Sequence, residues 1–142
     1  MKNLLVAVDG SEPAQKAAEK ALELAKALSA KVTVISVATS PIVAIRLKDT
    51  TYCSNDLLEM QKKQYQEIVE KYQEFFKKEN IEVSTVVKQG DPAEEIIKAA
   101  NADNYYMLVM GSRGLTGIKR AVIGSVANYV VQGCKVPVLV VT

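Results

Sequence analysis

Five short apolar, β-branched runs punctuate the chain: LLVAV (4–8), VTVISV (32–37), EVSTVV (82–87), YMLVM (106–110) and VLVV (138–141). Several are nearly continuous in their apolar character, which predicts parallel strands covered on both faces. The stretches between them follow a helical period instead. Beyond Ser11 and Pro13, a cap and a first-turn proline, the residues Ala14, Ala17, Ala18, Ala21, Ala25 and Leu28 fall on one stripe. A second helix over 56–79 repeats Leu58, Tyr65, Ile68, Tyr72 and Phe75, a stripe that reads as core rather than as a partner surface. A third opens at Asp91-Pro92 with Glu94 following, and a fourth runs from Ser125 to Val131 and ends at Gly133.

The order β-α-β-α-β-α-β-α-β calls for a parallel sheet with right-handed crossovers and helices on both faces. The expected fold is a single Rossmann-like α/β domain over residues 1–142. One connection is long. Residues 39–55, TSPIVAIRLKDTTYCSN, leave the carboxyl end of a strand, where α/β sheets bind ligands, and read equally as a lid or as a surface excursion.

Composition narrows the function classes. A length of 142 residues suits one domain, and 49% hydrophobic with 24% charged residues excludes a disordered chain. The net charge of +2 comes from 18 basic and 16 acidic residues that interleave, so no basic stripe marks a nucleic-acid partner. No apolar stretch approaches the ~20 residues of a membrane span, and MKNLLVAVDG reads as a first strand rather than a signal peptide. Cys53 and Cys134 show no CxxC spacing, which fits a reducing compartment, and a cytoplasmic location is expected. Cys53 has no evident activating neighbour and is expected to be inert. The chain has no His, which excludes Ser-His-Asp and Cys-His catalysis and His-ligated zinc.

The chemistry concentrates in VMGSRGLTGIKRAVIGSVANYVV, residues 109–131. Gly111 and Gly114 follow directly on an apolar run, at the carboxyl end of a strand, and Gly124-Ser125 opens the next helix. Glycines there let a backbone approach a phosphate closely and aim several N–H groups at it. The helix N-terminus adds partial positive charge, Ser125 adds a hydroxyl, and Arg113, Lys119 and Arg120 supply cations. The bland alternative is a tight strand-to-helix turn followed by a helix cap. No GxxxxGK[ST] occurs, and the spacing is not the GxGxxG of dinucleotide domains. Asp9, ending the first strand, would face Gly111 across the switch-point crevice of a doubly wound sheet. There its carboxylate accepts from a ribose hydroxyl, holds a metal ion on the phosphates, or merely caps the first helix.

The pattern G-x2-G-x9-G-[ST], here Gly111, Gly114, Gly124 and Ser125, resembles the signature of the ATP-binding subgroup of the universal stress protein family. LLVAVDGSEPAQKAAEKALELA, VTVISV, QGDPAEEI and KVPVLVV are similar to that family too, so the likeness covers the chain except 39–55. The resemblance implies a five-stranded parallel sheet of order 3-2-1-4-5, as in the adenine nucleotide α-hydrolase-like folds. It also implies ATP as the ligand, with Mg²⁺. Asp9 would contact ribose, and the Ala7-Val8 backbone would line the adenine pocket. Val37 would offer main-chain groups to the adenine edge, and Met110 and Gly111 would lie beneath the ribose. Ser112, Arg113, Gly114, Gly124, Ser125 and Val126 would surround the phosphates. Family members usually dimerise through the last strand, and VPVLVV is an apolar edge that invites pairing, although Pro137 could blunt it.

The implied function is a nucleotide-dependent regulatory module in stress response. The alternatives are a slow ATPase or phosphotransfer enzyme, and an interaction module with a vestigial glycine loop. With no base placed to activate water, at most weak hydrolysis is expected. The SGGxDS loop of ATP pyrophosphatases is not matched by DGSEPA.

Overall fold

The computed structural model of the chain describes residues 1–39, 55–112 and 124–142. Every apolar run becomes a strand: β1 Asn3–Ala7, β2 Lys31–Ala38, β3 Val83–Gln89, β4 Met107–Gly111 and β5 Val138–Val141. The helices are α1 Glu12–Leu28, α2 Asn55–Lys77, α3 Pro92–Ala102 and α4 Ser125–Gly133. The strands form one sheet in the order β3-β2-β1-β4-β5 with every pairing parallel, the order and the fold class expected.

Side chains alternate across a strand, so each of the inner strands feeds two cores. Leu4, Val6, Val32, Val34 and Val109 point to one face, where they meet the alanine stripe of α1 and Val69, Tyr72 and Phe76 of α2. Leu5, Ala7, Ile35, Val37, Leu108 and Met110 point to the other, against Ala93, Ile96 and Ala100 of α3 and Ala127 and Val130 of α4. The stripe of α2 is therefore core at Ile68, Tyr72 and Phe75, though it centres on Val69 and Phe76; the Leu58 side chain lies outside the described residues. Phe76 is fully buried, and truncating it to alanine would cost about 3–5 kcal/mol.

The predicted helix starts are built as their chemistry requires. The Ser11 hydroxyl accepts from the Ala14 N–H with Pro13 in the first turn, and the Asp91 carboxylate accepts from the Glu94 N–H. Satisfying an orphan first-turn donor in this way contributes about 1 kcal/mol per helix. The chain leaves α1 through Ser29, held in the left-handed region at φ 52°. Two boundaries differ from the apolar pattern. β1 stops at Ala7, one residue short of the LLVAV run, because the Val8 carbonyl turns to a side chain. β3 extends to Gln89 because its pairing with β2 continues to Ala38↔Gln89, past the apolar residues. Residues 40–54 of the long connection, Cys53 among them, lie outside the described residues.

Candidate functional site

The sheet order alone creates a crevice. β1 and β4 are neighbours in register, Leu4↔Met107 to Val6↔Val109. Their chains then diverge: β1 leads into α1 on one face, and α4, which follows β4, packs on the other. The space at the carboxyl ends between two such strands is where open α/β sheets bind ligands. Asp9 follows the end of β1 by two residues, and Gly111 ends β4.

On the β4 side, the Ser112 N–H donates to the Val141 carbonyl at 2.9 Å, and the Ser112 carbonyl accepts from the Gly124 N–H at 2.6 Å. Ser112 and Gly124 are thus held together in one hydrogen-bonded neck, which brings the N-terminus of α4 to the tip of β4. Gly124 is the N-cap of α4 and makes no side-chain capping hydrogen bond, unlike Ser11 on α1 and Asp91 on α3. First-turn N–H groups without a capping side chain, at the positive end of a helix, favour an anionic ligand. Ser125 is exposed at the first helical position, and Val126 is exposed beside it. Gly124 has φ −66° and ψ 163°, which any residue adopts, so backbone conformation does not demand a glycine there.

Gly111 has a different reason to be glycine. A Cβ built on it would lie 2.9 Å from the carbonyl carbon, oxygen and Cβ of Pro13, so α1 packs directly onto its backbone. The sequence pattern read this glycine as room for phosphate; the room is filled by the first turn of α1. Gly114 and Arg113, with Gly117, Lys119 and Arg120, lie outside the described residues.

On the β1 side, the Asp9 carboxylate does not cap α1. Its Oδ1 accepts from both the N–H and the hydroxyl of Ser11, and Ser11 is the residue that caps the helix. Asp9 thus fixes the cap, and among the described residues its Oδ2 makes no hydrogen bond. Its charge is felt nearby: burial first, then the carboxylates of Asp9 and Glu19, push the Tyr72 phenol above its ordinary value. Ala7 and Val8 are buried at the end of β1, and Met110 is buried beside Gly111.

Val37 stands next to this turn, and here the ladder stops. The Val8 N–H donates to the Ile35 carbonyl at 2.9 Å, the last rung between β1 and β2. The Val8 carbonyl then accepts from the buried Ser36 hydroxyl at 2.7 Å. In a strand, backbone groups point alternately to the two neighbours; the Ala38 carbonyl accepts from Gly90 on the β3 side. The Val37 N–H and C=O therefore point past the end of β1, into the crevice. The sequence reading missed Ser36; its signal was a lone serine near the end of an otherwise apolar, β-branched run.

The carboxylate inventory bears on a metal. Among the described residues no group of three or more Asp, Glu or Cys converges on a point. Asp9, two residues beyond the end of β1, supplies a carboxylate at that edge of the sheet. That set does not build a protein cage for a cation, and a magnesium ion there would be held chiefly by nucleotide phosphates and water. Cys134, half-buried at the end of α4, has its thiol pushed up by burial, which makes it a poor nucleophile. Among the described residues no helix is long and apolar enough to cross a membrane.

Comparison with known proteins decides the family. The model of the universal stress protein family matches residues 1–142. The chain belongs to the universal stress protein family. It is 33% identical over 141 residues to a universal stress protein of Methanocaldococcus jannaschii, covering 99% of this chain and 81% of that one. It is 32% identical over 143 residues to universal stress protein YxiE of Bacillus subtilis, covering 97% of both. Among solved structures, universal stress protein UspA from Lactobacillus plantarum superposes with a TM-score of 0.82 at 24% identity, covering 99% of this chain and 97% of the other. Two more distant universal stress protein structures of the same fold hold nucleotides. One is in complex with cAMP (TM-score 0.74, 21% identity, 99% and 97% covered), and one, from Archaeoglobus fulgidus, with dAMP (TM-score 0.74, 19% identity, 100% and 98% covered).

Proposed function

We propose that this universal stress protein binds ATP, with Mg²⁺, in the crevice between β1 and β4 and acts as a nucleotide-dependent regulatory module in stress response. The observation that carries the reading is the neck at Ser112 and Gly124, which holds the side-chain-uncapped N-terminus of α4 at the tip of β4, the strand beside β1. Phosphates would take the first-turn N–H groups of α4 from Ser125 and Val126, against the Gly124 backbone whose own N–H holds the neck, with Ser112, Arg113 and Gly114 completing the loop. Asp9 Oδ2 would accept from a ribose hydroxyl, above Met110 and Gly111. The adenine would lie beside Ala7 and Val8 with its edge on the Val37 backbone. The cAMP and dAMP complexes of the two neighbours support an adenine nucleotide as the ligand class.

Regulation through assembly is part of the reading. β5 is an edge strand whose four apolar residues are only half-buried, an arrangement suited to pairing with β5 of a second copy. The Val141 carbonyl accepts from Ser112, so this edge shares a hydrogen bond with the phosphate neck. A monomeric mass by light scattering at micromolar protein would overturn the homodimer.

The test of the ligand is mass spectrometry of whatever co-purifies, paired with calorimetric titration of ATP and Mg²⁺. Co-purified ATP or micromolar binding supports the module. A ligand-free protein that takes up no ATP would return the glycine loop to a structural role and favour a pure interaction protein.

A further inference from the structure

We infer that Ser36 is a positioning residue: its hydroxyl occupies the Val8 carbonyl, stops the β1–β2 ladder one rung early and keeps the Val37 N–H open to a nucleobase. The ligand half of this inference rests on the nucleotide reading; the ladder half stands on its own.

Ser36 is 1% exposed in a strand whose neighbours are mostly apolar. A buried hydroxyl must find a partner, and many core serines bond within their own strand or turn. Ser36 instead reaches the neighbouring chain, at the one acceptor the ladder would use next. Parallel pairing with Ala7↔Ile35 in register gives the rung Val8 N–H to Ile35 carbonyl, which is present. The following rungs would be Val37 N–H to Val8 carbonyl and Gly10 N–H to Val37 carbonyl. Neither forms among the described residues. The Ser36 side chain lies on the same face as Val32 and Val34, the face that α1 and α2 cover, so its bond draws the Val8 carbonyl out of the sheet plane. Gly10, at φ +83°, turns the chain away before its N–H can reach Val37. Serine and glycine each remove one rung.

The result is a donor and an acceptor side by side on Val37, at the crevice. The Watson–Crick edge of adenine presents an acceptor, N1, next to a donor, the 6-amino group, and is complementary to that pair. Hypoxanthine presents N1–H and O6 and is mismatched at both positions. Without the Ser36 hydroxyl, the Val8 carbonyl and the Val37 N–H are adjacent orphans and close on one another, since buried backbone groups pair wherever they can.

The experiment compares wild type, Ser36→Ala and Ser36→Thr. Amide hydrogen exchange of ligand-free protein reads the ladder. Val37 exchanges readily in wild type, is slowed about tenfold or more in Ser36→Ala, and returns to wild-type behaviour in Ser36→Thr, which keeps the hydroxyl. Titration with ATP and ITP reads the base. Ser36→Ala loses about tenfold in ATP affinity, the worth of one good hydrogen bond, while ITP binding is unmoved, so the preference for adenine falls. A general loss of structure would weaken both nucleotides alike, and the threonine variant would not restore the ratio. Unchanged Val37 exchange in Ser36→Ala overturns the inference, as does an unchanged ATP-to-ITP ratio. A wild type that binds no ATP sinks the nucleotide reading separately, and the exchange comparison still decides the ladder.

Discussion

Gly111→Ala separates the packing role of the loop's first glycine from a role at the ligand. The added Cβ would sit 2.9 Å from three atoms of Pro13, two of them backbone, where ordinary contact needs at least 3.4 Å. Neither side can yield by rotating a side chain, so the first turn of α1 must move by about half an ångström. Overpacking of this kind costs typically ~1–3 kcal/mol. Removing a glycine from a strand returns roughly 0.5–1 kcal/mol of chain entropy. The net expectation is a loss of about 1–2 kcal/mol, and for a chain of 142 residues that lowers Tm by about 3–8 °C. The displaced turn holds Ser11, whose N–H and hydroxyl hold Asp9, so nucleotide affinity falls together with Tm. Thermal unfolding of ligand-free protein by circular dichroism measures the first effect, and calorimetry the second. Pro13→Ala in the same background keeps the carbonyl carbon, the carbonyl oxygen and the Cβ that make the close contacts, and so does not recover the loss. A Gly111→Ala protein that melts with wild type and binds less ATP would refute the packing argument, because the glycine would then serve the ligand alone.

Three further perturbations test other parts of the site. Gly124→Val adopts the existing backbone without strain, so stability falls by ~1 kcal/mol or less, while the branched side chain beside the first-turn N–H groups abolishes ATP binding; wild-type affinity in the folded variant would remove Gly124 from the phosphate site. Asp9→Ala weakens ATP binding by ~1–3 kcal/mol through the lost ribose acceptor and the loosened Ser11 turn, and unchanged affinity by titration would leave Asp9 a purely structural support for the cap. Tyr72 carries a phenol raised above 10.0 in the folded chain by burial and by the Asp9 and Glu19 carboxylates. The folded state therefore keeps a proton that the unfolded state releases, so this stabilisation is complete below pH 10.0 and is lost as pH rises through the folded value. Tm measured from about pH 8 to about 11 should fall more steeply in wild type than in Tyr72→Phe, and parallel curves would deny the coupling.

The fold was legible because its signals were redundant. The apolar runs 32–37 and 106–110 alternate with capped, periodic helices, and only a parallel sheet accommodates that order. Ser11, Pro13, Asp91 and Gly124 each stand where their local chemistry ends or begins a helix, and they do so independently of tertiary context. The strand order was less accessible, since it depends on which edges meet after each crossover, and it followed from the family likeness. The candidate site was read in outline from glycines after one strand and an acid at the end of another, of which the structure describes Asp9, Gly111 and Gly124. What one sequence could not reveal were contacts between distant segments. Gly111 against Pro13, Ser36 against Val8 and Ser112 against Val141 each join residues far apart in the chain. A glycine looks the same in sequence whether its missing Cβ makes room for a phosphate or for a helix.

These distant contacts also couple the site to the fold. Asp9 supports Ser11, Ser11 caps α1, and α1 rests on the backbone of Gly111. One residue further, Ser112 ties Gly124 to Val141 of the edge strand. A nucleotide spanning Asp9 and the α4 N-terminus would brace both chains of contacts at once, and only in the folded state. Its stabilising effect should therefore follow the mass-action form, about 2.7 kcal/mol at a hundredfold excess over Kd. Exchange protection should appear first at the Gly124 and Ser112 amides rather than across the β2–β3 half of the sheet. Protection spread evenly over all five strands would mean that the ligand stabilises the domain globally, without passing through the neck.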